Sequence, residues 1–353
     1  MSRFFSSKLN KLTAYTPGEQ PKDMQYIKLN TNESPYPPCK YVQEAVTAEA
    51  DKLALYPDPE CTVLREEIAK LYNVKTENVI VSNGSDDILN FAFAAFGDTN
   101  KTALFPDITY GFYSVFADLN GVNYRQIPLR NDFTINPKDY FDAKGPIFIA
   151  NPNAPTGIEM HHSEIEDIIK NNPDNVVVID EAYIDFGGES CIPFTQKYDN
   201  VVVVQTFSKS RSLAGGRLGF AIASKPLIDD LNTIKFSTNP YSVNRMTMAA
   251  AIAVLKNNNY YMENCKKIIE TRNYVTTELE NLGFDVVPSM ANFVFAKIYE
   301  IPGNELYTKL KQNGILVRHF NLDRICDFIR ITIGSMEQME QFIKAVKKIL
   351  EVY

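Results

Sequence analysis

Three short apolar runs, Pro146 to Ala150, Val176 to Ile179 and Val201 to Val204, constrain the fold of this chain more than any other feature. Each is nearly continuous in Val, Ile or Phe instead of alternating with polar residues. A strand reads this way when both its faces are covered, as in a mostly parallel sheet with helices on either side. An earlier run, Asn78-Val79-Ile80-Val81, leads through Ser82-Asn83-Gly84-Ser85 into an apolar helix predicted over Asp86 to Phe96 and ended by Gly97. Ser163 with Glu166 three residues on predicts a capping box that opens a helix running to Lys170. After about residue 245 the texture changes. Tyr261, Cys265, Ile268, Val275, Leu279 and Leu282 keep helical spacing up to Gly283, while Ala291 to Ala296 and Ile329 to Ile333 read as strands. Met339, Phe342, Ile343, Val346 and Leu350 predict the inner face of a last helix. The expected class is α/β, with a mostly parallel central sheet between helices and a smaller C-terminal α+β domain. We divide it into an arm (1–35), a large domain (36–245) and a small domain (246–353), which suits 353 residues at roughly 100–200 per domain.

Composition narrows the function. Lys and Arg total 36 against 43 Asp and Glu, a net charge of −7, with no basic run. That balance argues against nucleic acid or an anionic membrane surface as the main partner and favours small molecules. The longest apolar run, Met248 to Leu255, is far short of the ~20 residues that cross a bilayer, so no membrane span is expected. Arg3, Phe4, Phe5, Lys8 and Lys11 make a mildly basic start without a continuous apolar segment, so a secretory signal is not expected either. Cys39, Cys61, Cys191, Cys265 and Cys326 are scattered and never form a C-x-x-C pair, which reads as reduced thiols in the cytoplasm. With only His161, His162 and His319, a zinc-type metal site has few ligands, and none is expected.

The chemistry-bearing residues follow the strands. Asn151-Pro152-Asn153-Ala154-Pro155-Thr156-Gly157 comes after the first run, Asp180-Glu181-Ala182-Tyr183 after the second and Thr206-Phe207-Ser208-Lys209 after the third, with Arg217 eight residues later. Open parallel sheets place ligands at the carboxyl ends of their strands, and neighbouring strands lie ~4.8 Å apart. An Asp and a Lys there can face one small planar ring. Singly, each motif has a bland reading as turn, helix cap or solvated lysine. Together they supply a carboxylate for a ring nitrogen, an amine for an aldehyde, and an Arg with hydroxyls for a phosphate, the parts that a pyridoxal phosphate site requires.

At these residues the chain resembles the fold-type I aminotransferases and, within them, the histidinol-phosphate aminotransferase family. The likeness extends to Asn30-Thr31-Asn32-Glu33-Ser34-Pro35-Tyr36, Tyr56-Pro57-Asp58-Pro59, Tyr110-Gly111 and Leu213-Ala214-Gly215-Gly216-Arg217-Leu218-Gly219. It implies a pyridoxal 5'-phosphate cofactor, with Lys209 carrying it, Asp180 on the ring nitrogen and Tyr183 on the ring hydroxyl. Gly84, Ser85, Asp86, Thr206, Ser208 and Arg217 are implied around the phosphate, and Tyr110 against the ring. Tyr56 is implied to reach the site of a neighbouring subunit, hence a homodimer. Tyr15, Asn32, Arg318 and Arg330 are implied on the substrate; surface charge and core aromatic are the plain alternatives for Arg318 and Tyr15.

The resemblance also implies the activity: transamination between glutamate or 2-oxoglutarate and histidinol phosphate or imidazole acetol phosphate, in histidine biosynthesis. The rivals are an aromatic or broader aminotransferase, a threonine-phosphate decarboxylase, and a non-catalytic binding protein on the same fold. One departure stands out. Many relatives carry Asn immediately before Pro-Thr-Gly, bonding the ring hydroxyl, where this chain has Ala154. Asn153, one position earlier, is the expected replacement through a shifted turn. Gly216, where relatives often carry a larger apolar residue, affects packing more than chemistry. Asp86 and Asp87, in the first turn of their helix, compete with an anion for its positive end, which leaves more of the phosphate charge to Arg217.

Overall fold

The computed structural model describes residues 2–10 and 12–352. Met1, Lys11, Tyr353 and the side chain of Lys8 lie outside that description, and with them the charges of Lys8 and Lys11 weighed above. In chain order the strands are β1 (Ile27–Lys28), β2 (Val79–Ser82), β3 (Ala103–Pro106), β4 (Tyr124–Ile127), β5 (Ile147–Ala150), β6 (Val177–Asp180), β7 (Val201–Thr206) and β8 (Gly219–Ala223). Beyond them come β9 (Asp285–Val287), β10 (Phe293–Lys297), β11 (Ile315–Leu316), β12 (Arg318–His319) and β13 (Ile329–Thr332).

Strands β2 to β8 form one seven-stranded sheet in the order β2-β8-β7-β6-β5-β3-β4. Every pairing is parallel except those of β8, which runs antiparallel to both β2 and β7. The three apolar runs become β5, β6 and β7, adjacent and buried throughout. Period-two alternation sends Val177 and Ile179 into one core with Ile147, Ile149, Val201 and Val203. Val178 goes into the other core, with Phe148, Val202, Phe93 and Tyr113. The next residue on that second face is Asp180, so a carboxylate emerges at the strand end beside an aromatic cluster. In register, Ala150, Asp180 and Val204 lie side by side.

The apolar helix begins at Ser85 and ends at Phe96, burying Ile88, Leu89, Phe91, Ala92, Phe93 and Phe96. The helix expected to open at a Ser163–Glu166 box starts differently. His161 is its N-cap, accepting from the Ser163 amide, and Glu164 closes the box. Glu166 instead pairs with Lys170 and Lys197, so a helix capped two residues earlier turned the expected box partner into a surface ion-pair residue. The helix Arg245–Lys256, assigned to the small domain by its sequence texture, buries Ala250, Ala251, Val254 and Leu255 in the large core with Val42 and Leu64.

Antiparallel strands β12-β13-β10-β9 form the second sheet, backed by the helices Asn258–Asn281 and Met336–Val352. Ile349, with Leu350 only half-buried, completes the inner stripe of the last helix. The arm is stitched to this lobe: β1 pairs in parallel with β11, and the Thr332 amide donates to the Leu29 carbonyl. Residues 30–33 are thereby delivered to the carboxyl edge of the large sheet. Phe148 on β5 stacks on Phe93 at 3.8 Å with both rings fully buried. Phe148→Ala is expected to cost about 3–5 kcal/mol of stability in denaturant unfolding. Leu322→Ala, at an exposed position, should stay within about 0.5 kcal/mol.

Candidate active site

A cavity of about 360 Å³ opens where β5, β6 and β7 end. Asp180 is 5% exposed, and its two oxygens have different fates. Oδ2 accepts from the Tyr113 hydroxyl at 3.0 Å, whereas Oδ1 is buried without a hydrogen-bond partner. A buried carboxylate oxygen left unpaired is costly, so its presence marks a place for a donor that arrives with a ligand. Burial pushes the Asp180 carboxyl up to about 7, against the opposing pull of the Tyr113 hydroxyl.

At one end of the cavity the backbone is built to approach an anion closely. Gly84 has φ +88°, and a Cβ there would lie 2.7 Å from the Arg217 guanidinium. Gly219 is tighter still: a Cβ would sit 2.2 Å from the Ser85 amide nitrogen. The N-terminus of the helix Ser85–Phe96, Ser208 Oγ and Arg217 therefore share one small volume. Arg217 pairs with Asp86 at 3.0 Å, and the other Asp86 oxygen accepts from the Tyr110 hydroxyl at 2.7 Å. The competitor expected from the sequence is thus an acidic neighbour on the arginine itself, as well as on the helix end.

Across the cavity, the Lys209 amine donates to the Thr31 carbonyl at 3.1 Å. Burial, with Arg330 next, lowers this amine to about 8, while Glu33 and Asp86 pull the other way. Tyr183 is set by a chain of defined hydrogen bonds. The Asn32 amide nitrogen donates to the Thr332 hydroxyl, so that hydroxyl donates to Asn32 Oδ1, and Asn32 Nδ2 donates to Tyr183 Oη at 2.9 Å. Tyr183 Oη accepts there, which leaves its own proton for a ligand.

A second cavity of about 510 Å³ shares Thr31, Tyr110, Ala154, Tyr183 and Lys209 with the first. Arg318 and Arg330 line it and are directly opposed partners on β12 and β13. Like charges at such a pair repel, so an anion between them is stabilising. Arg330 donates to the Asn30 carbonyl, lies over the Phe293 ring, and has a buried Nε without a partner. Arg318 is braced less firmly, on the Thr16 and Pro17 carbonyls at 3.3 and 3.5 Å. Tyr15 stacks on Phe112 at 4.2 Å and closes one side.

A sequence model of the aminotransferase class I and II family matches residues 24–346. The chain belongs to that family. A histidinol-phosphate aminotransferase of Brachyspira hyodysenteriae is 51% identical over 353 residues, 99% of this chain and 100% of that protein. The solved structure of histidinol-phosphate aminotransferase from Sinorhizobium meliloti, in complex with pyridoxal-5'-phosphate, superposes with a TM-score of 0.89 at 20% identity, covering 100% of this chain and 99% of the other. That of L-threonine-O-3-phosphate decarboxylase from Porphyromonas gingivalis gives 0.81 at 22%, covering 92% and 99%. At those identities the superpositions carry the fold alone.

Pyridoxal 5'-phosphate is the cofactor of this aminotransferase, and the residues fit it. The orphan Asp180 Oδ1 matches a ring N–H, the Gly84–Ser85–Gly219 cradle with Arg217 matches a phosphate, and Lys209 offers an amine. Thr206 lines the cavity, but its hydroxyl contacts the Leu218 carbonyl and the Ser208 amide, so it braces the lysine loop. Asn153 is a correction. Its amide is consumed by Thr109, the Ile108 carbonyl and Thr156, and it lines a neighbouring cavity, so it does not stand in for the Asn absent at Ala154. Ala154 itself faces the cavity. Tyr56 is 79% exposed, stacked on Tyr241 and absent from both cavities of its own chain.

Tyr113 and Thr332 were not singled out from the sequence, and Thr31 and Glu33 entered there only within a motif, without a role. Tyr113 follows Tyr110 at helical spacing inside an apolar stretch, and Thr332 lies two residues past Arg330 on one strand face, so spacing was the available signal. An amine lowered to about 8 is protonated below that pH and free to bond an aldehyde above it. In cofactor-free protein, attachment of pyridoxal phosphate at Lys209 should therefore accelerate as pH rises through about 8. Glu33→Gln removes a carboxylate that favours the ammonium, and should move that midpoint to lower pH in stopped-flow absorbance measurements.

Proposed function

We propose that this aminotransferase moves an amino group between glutamate or 2-oxoglutarate and histidinol phosphate or imidazole acetol phosphate, in histidine biosynthesis. The observation that carries this reading is the opposed pair Arg318 and Arg330, in a cavity shared with Lys209. Guanidinium groups pair with carboxylate and phosphate alike, so one site can hold glutamate in one half-reaction and a phosphate ester in the other. The full-length relative at 51% identity bears the same activity in its name.

Bound pyridoxal phosphate supplies an aldehyde that captures the substrate amine and a ring that takes up the electron pair left when a C–H bond breaks. Each residue has a defined part. Asp180 Oδ1 accepts the ring N–H and favours its protonated form. Tyr183, held as an acceptor by Asn32, donates its hydroxyl proton to the ring oxygen. Arg217, Ser208 and the amide at Ser85 would bind the phosphate, and Tyr110 would hold the ring. Lys209 would hold the cofactor through its amine and, once substrate has displaced it, would be the base placed to move a proton at the substrate carbon. Arg330 and Arg318 hold the substrate anion, with Tyr15 closing over it.

The protein works as a cytoplasmic homodimer in this reading. Leu53, Leu55 and Tyr56 are exposed side by side after the helix Lys40–Ala50, a surface suited to a second copy whose site Tyr56 would reach. All five cysteines are free thiols, which suits a reducing compartment. Among the described residues no helix is long and apolar enough to cross a membrane.

Purified enzyme should turn over histidinol phosphate with 2-oxoglutarate faster than phenylalanine, and release no carbon dioxide from threonine phosphate. Arg318→Ala should lower kcat/KM for histidinol phosphate by roughly 10–100-fold, the scale of one charge-assisted contact. A preference for phenylalanine, or carbon dioxide from threonine phosphate, would contradict the substrate reading.

A further inference from the structure

Asp180 is held on one side by the Tyr113 hydroxyl, a contact that joins the fourth residue of Tyr110-Gly111-Phe112-Tyr113 to the end of β6. Tyr113 is 0% exposed and packed by Phe93, Phe105, Phe148 and Tyr110 at ring distances of 5.7 to 6.3 Å. So tight a setting fixes the hydroxyl, and Asp180 Oδ2 is the acceptor it meets. A carboxylate with one oxygen pinned cannot rotate freely. Its second oxygen, Oδ1, is the buried atom without a partner, in a residue that lines the cofactor cavity.

We propose that Tyr113 is a positioning residue for transamination: by donating to Oδ2 it turns Asp180 so that Oδ1 meets the ring nitrogen, and it keeps the carboxylate charged. Two donors favour the charged form of Asp180, the Tyr113 hydroxyl first and the Ala182 backbone amide after it, and none of the charged or titratable side chains around it adds a third. Asp86, from the helix Ser85–Phe96, acts against ionisation of Asp180 by like charge. Tyr110 and Tyr183 are kept neutral by burial. Tyr110 spends its proton on Asp86, and Lys209 is directed to Thr31. Tyr113, raised well above the ordinary phenol range by burial, stays neutral and remains a donor. A hydroxyl donor bonds the ionised carboxylate more strongly than the neutral acid, so it favours the charged form.

The inference rests on Asp180 facing the ring nitrogen, and the test separates the two claims. The readout is the pH midpoint of the visible colour change of lysine-linked cofactor in purified holoenzyme, beside kcat and KM. Loss of the Tyr113 donor leaves Asp180 less charged, the ring nitrogen less often protonated, and the proton on the Lys209 nitrogen held more tightly. Tyr113→Phe should thus raise the midpoint by roughly half a unit or more and lower kcat about tenfold, with KM within about twofold. Phe105→Leu, a packing change in the same cluster, should leave the midpoint in place. In an Asp180→Ala background, Tyr113→Phe should add nothing. If the phenylalanine variant does not fold, 3-fluorotyrosine at position 113, a stronger donor, should move the midpoint the opposite way.

An unmoved midpoint in Tyr113→Phe, or in the fluorotyrosine protein, would overturn the role of Tyr113, as would an equal shift in Phe105→Leu or an undiminished one in the Asp180→Ala background. An unmoved midpoint in Asp180→Ala alone would instead overturn the placement of Asp180 on the ring nitrogen.

Discussion

A carboxylate buried at the end of a central strand, with one oxygen paired and the other left open, is the constraint on which the rest of this structure turns. Burying a charge is expensive unless a partner and hydrogen bonds offset the loss of water. The fold meets that cost in stages. Parallel strands with both faces covered exclude water from the strand end, the Tyr113 hydroxyl satisfies half of the carboxylate, and in the proposed reading the cofactor's ring nitrogen would satisfy the remainder. The same desolvation lowers Lys209 toward neutrality. One environment thus perturbs both an amine and a carboxyl that would titrate ordinarily in water.

The two lobes divide the anion binding. The cofactor domain supplies the cradle at Gly84, Ser85 and Gly219, where the missing Cβ atoms let Arg217 and the helix end approach closely. The C-terminal lobe supplies Arg318 and Arg330, opposed like charges whose repulsion a bound anion would relieve. Between them run residues 30–33 of the arm, bonded to Thr332 on one side and reaching Lys209 and Tyr183 on the other. Substrate held on the arginines, as proposed, would sit against the segment that orients the tyrosine. His161, His162 and His319 line neither cavity, which fits a site whose proton transfers fall to a lysine.

Much of this was legible in the sequence because it is local. Val/Ile continuity named the central strands, and polar residues at or just past their carboxyl ends pointed to Asp180 and Lys209, with Arg217 eight residues further on. What escaped was set by long-range contact or by turn geometry. Asn32 meets Tyr183 across 151 positions and Thr332 across 300, separations at which spacing carries no signal. Asn153 looked like a displaced donor, yet the turn points its amide at Ile108, Thr109 and Thr156. Tyr113 satisfies the pattern of a core aromatic, and it is one; its single polar atom is visible as functional only when β6 is placed beside it. The cap at His161, two residues before the expected Ser163, shows the same limit at local scale.

The most direct measurement is the nitrogen-15 chemical shift of ring-labelled pyridoxal phosphate bound to the wild-type enzyme, followed by NMR between pH 6 and 9. A protonated ring nitrogen across that range, lost in Asp180→Ala, is the expected result. An unprotonated nitrogen in the wild type at neutral pH, or an unchanged shift without the Asp180 carboxylate, would show that this buried charge does not face the ring.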